Sequence, residues 1–290
     1  MYQEYFQLKS APFSPTPDTH FYVENDCPPP LFQEMVEEVN RSNGFIRIVG
    51  DAGAGKTLHC RKLLNALHCH KKRYRLIHIP HPRLSEEGLL LAMAQELRIS
   101  GTTLNSLRKD VICQLKQTLK ESRVNVMVID EGQTMPDDTL ELLLELAELG
   151  DSTQQLLRVV LFTMPVDKEV QGLPTNRRIQ ERVTLERTLC AFDREGMARY
   201  LDTRLQLAGY SGSPLYSKEA LDALFNSTLG VPRLINLLAH KALVNTYHAK
   251  LQQVQGLQVR LAAAATEIAP RIDGQDSPMG WFSRLRQRAI

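Results

Sequence analysis

The sequence lacks a hydrophobic run long enough to cross a membrane. Its longest apolar stretches, LELLLELAELG and VRLAAAATEIA, contain charged residues, and they fall short of the roughly 18–20 apolar residues that a spanning helix needs. The N-terminal segment MYQEYFQLKSAPFSPTPD also lacks the apolar core of a signal peptide. We therefore expect a cytoplasmic protein without a transmembrane segment.

The sequence contains few cysteines, and their spacing does not suggest disulfide pairs. The five cysteines are scattered, odd in number and include no CxxC pair, whereas disulfide frameworks use even sets of cysteines at regular spacing. The sequence therefore predicts free thiols in a reducing compartment. The histidines and cysteines between residues 59 and 70 match no structural zinc spacing, so we expect no metal site there.

An excess of charge of one sign is also absent. The chain has 290 residues, with 35 basic and 33 acidic residues and a net charge of +2, so its overall charge gives no strong signal for nucleic-acid binding. HKKRYR at residues 70–75 is the only compact basic run that could contact DNA. An apolar fraction of 43% is typical of globular proteins, and the length predicts two domains.

A glycine-rich motif lies between an apolar run and a helical pattern. GDAGAGKT at residues 50–57 matches G-x-x-x-x-G-K-[ST] at each fixed position. In such motifs backbone N–H groups and a helix N-terminus surround a phosphate group. Lys56 is expected to contact the β- and γ-phosphates and to act in catalysis, and Thr57 is expected to ligate Mg²⁺. The expected binding residues are Gly50, Asp51, Ala52, Gly53, Ala54, Gly55, Lys56, Thr57 and Leu58.

Two carboxylates follow a second apolar run. VNVMVIDEGQ at residues 124–133 predicts a buried strand that ends at Asp130 and Glu131, where parallel sheets bind ligands. Asp130 is expected to hold Mg²⁺, and Glu131 is expected to polarise the attacking water. The alternative, two solvated acids at a strand end, is less favoured because a phosphate-binding motif lies upstream.

Strand and helix patterns alternate up to residue 190, and only helical patterns follow. This order predicts an α/β fold, a doubly wound parallel sheet with a C-terminal helical lid domain. We predict an N-terminal segment at 1–40, a nucleotide-binding core at 41–190, a lid at 191–269 and a linker and tail at 270–290. The predicted strands are Phe45–Val49, Tyr74–Ile79, Val124–Ile129, Leu157–Phe162 and Arg182–Leu185. The predicted helices are Gly55–His68, Ser85–Leu97, Leu104–Glu121, Asp137–Leu149, Asp193–Ala208, Ser217–Leu229, Pro232–Tyr247 and, more weakly, Gln258–Ile268.

Four segments together resemble the AAA+ ATPases of the general secretion pathway protein A type. YQEYFQLKSAPFSPTPDTHFYV is similar to the N-terminal signature of that family, GDAGAGKT to its Walker A motif, VMVIDEGQ to its Walker B motif and LGVPRLINLLAHKAL to its sensor 2 segment. The resemblance covers nearly the whole chain. It implies a P-loop NTPase of the AAA+ type that binds ATP and Mg²⁺, hydrolyses ATP and forms homo-oligomers.

The resemblance also implies roles for several arginines. Arg233 matches the sensor 2 arginine and is expected to approach the γ-phosphate from the lid; the alternative is a surface charge at a helix start. Arg182 matches the arginine of the family's Gln-Arg-Ile stretch, and Arg177 or Arg178 could equally act as the finger on a neighbouring subunit's nucleotide; the alternative is a solvated basic helix end. Residues 163–166 read Thr-Met-Pro-Val instead of the family's Gly-Gln-Pro-Glu, which leaves the sensor 1 contact open.

In function, the resemblance implies assembly of a bacterial envelope machine. The pilus-associated members of the family, of the mannose-sensitive haemagglutinin type, are most similar in length and organisation. We therefore expect an ATPase that drives or regulates assembly of a type IV pilus or secretion machine, with inner-membrane assembly proteins as partners. The alternatives are a DNA-linked transposition-helper ATPase and a nucleotide-binding scaffold with little turnover.

The last residues form a short basic amphipathic end. Trp281, Phe282 and Leu285 alternate with arginines after a glycine- and proline-containing linker. Such an end suits peripheral contact with the inner face of the cytoplasmic membrane or with a partner. A solvated terminus is the alternative.

Overall fold

The computed structural model describes residues 2–14, 16–24, 30–41, 44–100, 103, 105–150, 155–165 and 174–266. These residues fall into two compact units. The sheet unit contains the described residues of 30–51 and 55–190, and the helical unit contains those of 2–24, 52–54 and 191–266. The first 40 residues are thus divided between the two units. The basic amphipathic end lies outside the described residues.

The sheet unit is built on five parallel strands in the order β2-β3-β4-β1-β5. This arrangement confirms the predicted α/β parallel sheet. The edge strand β5 extends further than predicted because it pairs with β1 as far as Gly50 and Leu189. The second half of β5 was not predicted because it contains the exposed charged residues Glu186 and Arg187. The strands are β1 (Phe45–Gly50), β2 (Tyr74–Ile79), β3 (Val124–Ile129), β4 (Arg158–Thr163) and β5 (Val183–Leu189).

Helices pack on both faces of this sheet. One face buries Ile77, Met127 and Val159 against the helices that follow β2 and β3, and the other buries Ile48 and Val128 against the helices on either side of β1. Apolar side chains on both faces explain why the central strands read as continuous apolar runs. The helices of this unit are α2 (Leu31–Arg41), α3 (Lys56–Cys69), α4 (Glu86–Leu97), α5 (Leu107–Lys120), α6 (Asp137–Glu148) and α7 (Pro174–Arg182).

The helical unit joins the N-terminal segment to the last four described helices. Its core buries four apolar residues of the N-terminal signature, Phe6, Leu8, Phe13 and Phe21. Capping by Asp193 and Ser217, whose side chains accept the N–H groups of Gly196 and Ala220, fixes two helix starts. The helices are α1 (Tyr2–Tyr5), α8 (Arg194–Leu207), α9 (Lys218–Thr228), α10 (Pro232–His248) and α11 (Gly256–Ala264).

A buried arginine ties the N-terminal segment to this core. Arg204 donates from Nε to the Pro12 carbonyl at 2.7 Å and from Nη1 to the Tyr200 hydroxyl at 2.6 Å. Tyr200 in turn donates to Asn236 Oδ1 at 2.9 Å. The chain of hydrogen bonds therefore runs from the N-terminal segment to Asn236 in α10, the helix that also carries Arg233.

Gly230, the glycine of the predicted sensor 2 segment, is required by its backbone. Its φ is +75°, and a Cβ there would lie 1.8 Å from the Phe192 carbonyl oxygen. The Gly230 carbonyl accepts the Phe192 N–H at 2.9 Å. A side chain at this position would therefore displace the strand-like segment that enters α8 from the start of α10.

Candidate functional site

The loop between β1 and α3 has the backbone of an anion-binding turn. Gly53 and Gly55 have φ angles of +85° and +99°, in the left-handed region that favours glycine. Gly55 caps α3, and its carbonyl accepts the N–H groups of Leu58 and His59 at 3.0 and 3.1 Å. The N–H groups of Lys56 and Thr57 precede these first helical hydrogen bonds, and such N–H groups give the start of a helix a positive potential.

Lys56 is the first residue of α3 and is only 5% exposed. Its Nζ donates to the carbonyl oxygens of Gly50 at 2.8 Å and Asp51 at 3.1 Å. Burial lowers the pKa of this ammonium group, and the nearby carboxylates of Glu131, Asp130 and Asp51 oppose that shift. The ammonium group therefore lies in a partly desolvated position beside three carboxylates.

Asp130 and Glu131 follow β3, as predicted. Asp130 is buried, and its Oδ1 accepts the Glu131 N–H at 3.0 Å. Glu131 has a φ of +55°, which is uncommon for a residue with a Cβ. A 3₁₀ turn at Gly132–Thr134 follows, and Thr134 Oγ1 donates to the Glu131 carbonyl at 2.9 Å.

The end of β4 lies between these two segments in the sheet. Thr163, the residue that could offer a sensor 1 contact, is buried, and its hydroxyl donates to the Met164 carbonyl at 2.9 Å. The Met164 N–H donates to Gln133 Oε1 at 2.9 Å, and Gln133 Nε2 donates to Glu131 Oε2 at 2.6 Å. Gln133 is a residue to which sequence reasoning gave no role, although it stands two positions after Glu131.

The register of the strands places the expected site residues at one edge of the sheet, where the strands end. Val49 pairs with Thr163, and Ile129 pairs with Leu161, so the residues that follow β1, β3 and β4 meet at the carboxyl edge. Gly50, Asp51, Gly55, Lys56, Thr57, Leu58, Asp130 and Glu131 are the expected residues of the sheet unit at this edge.

Arg182 lies at the opposite edge. It precedes Val183, which pairs with Phe45 at the start of β1, and a six-residue parallel strand is about 17 Å long. Arg182 and Arg178 both pair with Glu148 Oε1, at 2.9 and 3.2 Å. Arg177 is exposed. Arg182 is therefore separated from the glycine-rich loop of its own sheet unit by about the length of β1.

Arg233 belongs to the helical unit together with Ala52–Ala54. Its backbone N–H donates to the Gly53 carbonyl at 3.2 Å, and a Cβ on Gly53 would lie 2.9 Å from Arg233 Cβ. Glycine at position 53 is thus required both by its φ angle and by this close approach. The Arg233 side chain is exposed.

The residues at the carboxyl edge fit a divalent cation that keeps several waters. The described residues contain no group of three or more His, Cys, Asp or Glu side chains arranged to hold a metal. Mg²⁺ in nucleotide sites uses one or two protein oxygens together with waters and phosphate oxygens. The Thr57 hydroxyl and one buried carboxylate, Asp130, are a donor set of that kind.

The parallel sheet, the glycine-rich loop and the paired carboxylates define the α/β fold of an AAA+ P-loop NTPase. A family model described as "AAA domain" matches residues 39–169. The chain is 27% identical over 266 residues to "General secretion pathway protein A" of Aeromonas hydrophila. The match covers 91% of this chain and 48% of that protein, so the chain spans about half the length of this relative. The chain is thus similar to general secretion pathway protein A over this match, and its residues 39–169 match the AAA domain model.

Solved structures share the fold at low sequence identity. Cdc6p of Pyrobaculum aerophilum superposes with a TM-score of 0.67 and 16% identity, covering 90% of this chain and 72% of that one. A chain of Drosophila ORC bound to DNA superposes with a TM-score of 0.64 and 17% identity, covering 86% of this chain and 63% of that one. Domain III of the Thermotoga maritima replication initiation protein DnaA superposes with a TM-score of 0.56 and 15% identity, covering 89% of this chain and 99% of that one. Identities this low establish the fold only.

Within the described part of the chain, none of the helices combines the length and the apolar character of a membrane span.

Proposed function

We propose that this chain binds ATP with Mg²⁺ at the carboxyl edge of the sheet and hydrolyses it. The observation that carries the proposal is the placement of the buried Lys56, after β1, and of Asp130 and Glu131, after β3, at the same carboxyl edge of the sheet. A structural turn needs no buried lysine, whereas a phosphate site needs a cation beside a helix N-terminus.

Different residues would bind the phosphate groups and the Mg²⁺ ion. The backbone N–H groups of residues 50–58 surround the phosphate oxygens, and the Lys56 ammonium group turns from the Gly50 carbonyl toward the β- and γ-phosphates. The Thr57 hydroxyl and Asp130 hold Mg²⁺, which when bound neutralises charge on the phosphates. In this proposal the Arg233 guanidinium approaches the γ-phosphate by bidentate hydrogen bonds.

Glu131 would perform the chemical role. Its carboxylate accepts a hydrogen bond from the attacking water, which directs a lone pair of the water oxygen toward the γ-phosphorus. The Lys56 ammonium group stabilises the negative charge of the transition state. The products are ADP and inorganic phosphate.

The relationship to general secretion pathway protein A supports an envelope role. We propose that ATP turnover by a homo-oligomer drives or regulates assembly of a secretion machine or of a type IV pilus of the mannose-sensitive haemagglutinin type. The partners would be inner-membrane assembly proteins, and the chain would act at the inner face of the cytoplasmic membrane.

The direct test is phosphate release by the purified chain, with molecular mass measured in parallel by light scattering. We expect Mg²⁺-dependent release of phosphate and a mass that rises when ATP and Mg²⁺ are added. Tight ATP binding without phosphate release or a change in mass would contradict the proposal and would favour a nucleotide-binding scaffold.

Arg182 provides a test of action between subunits. Because it lies at the edge opposite Lys56, a role in catalysis requires a second copy of the chain. We expect Arg182→Ala to bind ATP normally and to lower turnover by about 10³-fold, the scale of an arginine finger. Its ion pair with Glu148 is half exposed, so the loss of stability should be small.

Mixing two inactive variants makes this test specific. Lys56→Ala chains have an intact Arg182, and Arg182→Ala chains have an intact nucleotide site, so mixed oligomers should regain part of the turnover. Arg177→Ala is the matched control from the same helix. The alternative is that Arg177→Ala or Arg178→Ala is inactive alone and regains turnover when mixed with Lys56→Ala, whereas Arg182→Ala does not. That result would assign the finger to Arg177 or Arg178.

A further inference from the structure

One polar bridge at the carboxyl edge has no role in the mechanism above. The side-chain amide of Gln133 donates from Nε2 to Glu131 Oε2 at 2.6 Å, and its Oε1 accepts the Met164 N–H at 2.9 Å. One side chain therefore connects the carboxylate that follows β3 with the backbone that follows β4.

The two partners require an amide in one orientation. The Glu131 carboxylate only accepts hydrogen bonds and the Met164 N–H only donates them, so the bridging group must carry a donor on one side and an acceptor on the other. Gln133 meets both demands with its nitrogen toward Glu131 and its oxygen toward Met164. A glutamate at this position would place a second carboxylate beside Glu131, and an alanine would leave both partners without the bridge.

The backbone around Gln133 holds the amide in place. Thr134 closes the turn onto the Glu131 carbonyl, and the Gly132 Cα lies close to β4, since a Cβ there would meet Leu161 Cδ2 and the Phe162 carbonyl oxygen at 3.5 Å. The turn therefore packs against the strand whose end Gln133 contacts. Through Gln133, the end of β4 is thus connected by hydrogen bonds to the carboxylate of Glu131.

We propose that Gln133 is a positioning residue that orients Glu131 and couples it to the end of β4. The amide holds one carboxylate oxygen, Oε2, and leaves the other available to the attacking water, as an orienting group does for a general base. The inference rests on the proposed hydrolysis of ATP, and it adds the residue that sets the direction of the base.

The segment after β4 gains a defined role from this bridge. The backbone N–H of Met164 donates to the side-chain amide oxygen of Gln133, which belongs to the segment after β3. A shift of the Thr163–Met164 backbone would thus move the Gln133 amide, and with it the Glu131 carboxylate.

The first test compares Gln133→Ala in the wild-type chain and in the Glu131→Gln variant. In the wild-type chain we expect kcat to fall by about 10–100-fold, the usual cost of losing an orienting partner, with ATP affinity changed by less than about twofold. In the Glu131→Gln variant we expect no further fall in single-turnover rate, because Gln133 acts only through the carboxylate. Equal losses in both backgrounds, or an unchanged kcat, would overturn the inference.

Gln117→Ala is the matched control, because Gln117 also donates its amide to a glutamate, Glu121, on the exposed surface of α5. We expect this variant to keep the wild-type kcat. A loss as large as that of Gln133→Ala would show that the effect is not specific to the bridge.

The second test does not depend on turnover. Hydrogen exchange of the Met164 amide, followed by NMR, should be slow in the wild-type chain and about tenfold faster or more in Gln133→Ala. Equal exchange in the two proteins would overturn the bridge even if ATP is hydrolysed. Absence of hydrolysis in the wild-type chain would reject the proposed function, whereas exchange that depends on Gln133 would still support the contact.

Discussion

The Lys56→Ala variant should lose ATP binding. The ammonium group is nearly buried at the first turn of α3, where its hydrogen bonds to phosphate oxygens would be charge-assisted and shielded from water. Each hydrogen bond to a charged group contributes about 1.5–3 kcal/mol, so we expect the affinity for Mg²⁺-ATP to fall by roughly 100-fold or more. Isothermal titration calorimetry with the purified variant measures this change.

A second lysine of the same helix provides the control. Lys62 Nζ lies 4.6 Å from the centroid of the Phe32 ring, on the side of α3 that packs on α2. Lys62→Ala removes the same charge from the same helix and should bind ATP as the wild-type chain does. Thermal denaturation without nucleotide would show whether Lys56→Ala is folded. Normal ATP affinity in a folded Lys56→Ala protein would contradict the assignment of the loop as a phosphate site.

Two opposing effects act on the pKa of Lys56. Burial lowers the pKa, because a desolvated ammonium group is less stable than a neutral amine, and the carboxylates of Asp130 and Glu131 only partly oppose this. A bound triphosphate would bring further negative charge to the same group. The charged form of Lys56 is therefore expected to be more stable with nucleotide than without it.

Three strands could be predicted closely from the sequence, and the central ones among them, β3 and β4, have a composition determined by burial on both faces. The predicted bounds of β2 and β3 agree with the structure, and β4 is displaced by one residue. The helices α2 and α7 were not predicted. In α2 only Met35 and Val39 are buried among charged neighbours, so its apolar stripe is too narrow to recognise, and α7 is short and mostly polar.

The site was predictable only where its residues are contiguous. The glycine-rich loop and the Asp130–Glu131 pair are local motifs, and the order and register of the strands place both at the carboxyl edge of the sheet. The contact from Gln133 to Met164 joins residues separated by 31 positions, and no motif spacing reports the order of strands in a sheet. The placement of Arg182 opposite Lys56 likewise depends on the register of β1 with β5.

The N-terminal signature shows a similar dependence on tertiary structure. Its aromatic residues could be recognised as a family pattern, but their place in the core of the helical unit depends on Arg204, which is distant in sequence. Arg204 meets the Pro12 carbonyl and the Tyr200 hydroxyl, both neutral groups. Its cation also lies over the Phe21 ring, 5.1 Å from the centroid. Charge pairing in the sequence would not have indicated this contact.

The Glu131→Gln variant should separate ATP binding from hydrolysis. Glutamine has nearly the size of glutamate and can still accept the hydrogen bond of Gln133, but its neutral amide is a poor partner for a proton of the attacking water. We expect turnover to fall by about 10²–10⁴-fold, the usual contribution of a general base. ATP affinity should be retained, because Lys56 and the loop are unchanged, and any ATP-dependent oligomer should persist for longer.

Glu145→Gln is the matched control for this substitution, since Glu145 pairs with Arg108 at 2.6 Å on the exposed side of α6. Phosphate release and light scattering should show wild-type behaviour for Glu145→Gln, and for Glu131→Gln a stable ATP-bound assembly without turnover. If Glu131→Gln hydrolysed ATP at the wild-type rate, another group would have to polarise the water. The bridge from Gln133 would then orient a side chain with no part in the chemistry, so this substitution tests the base and the residue that positions it together.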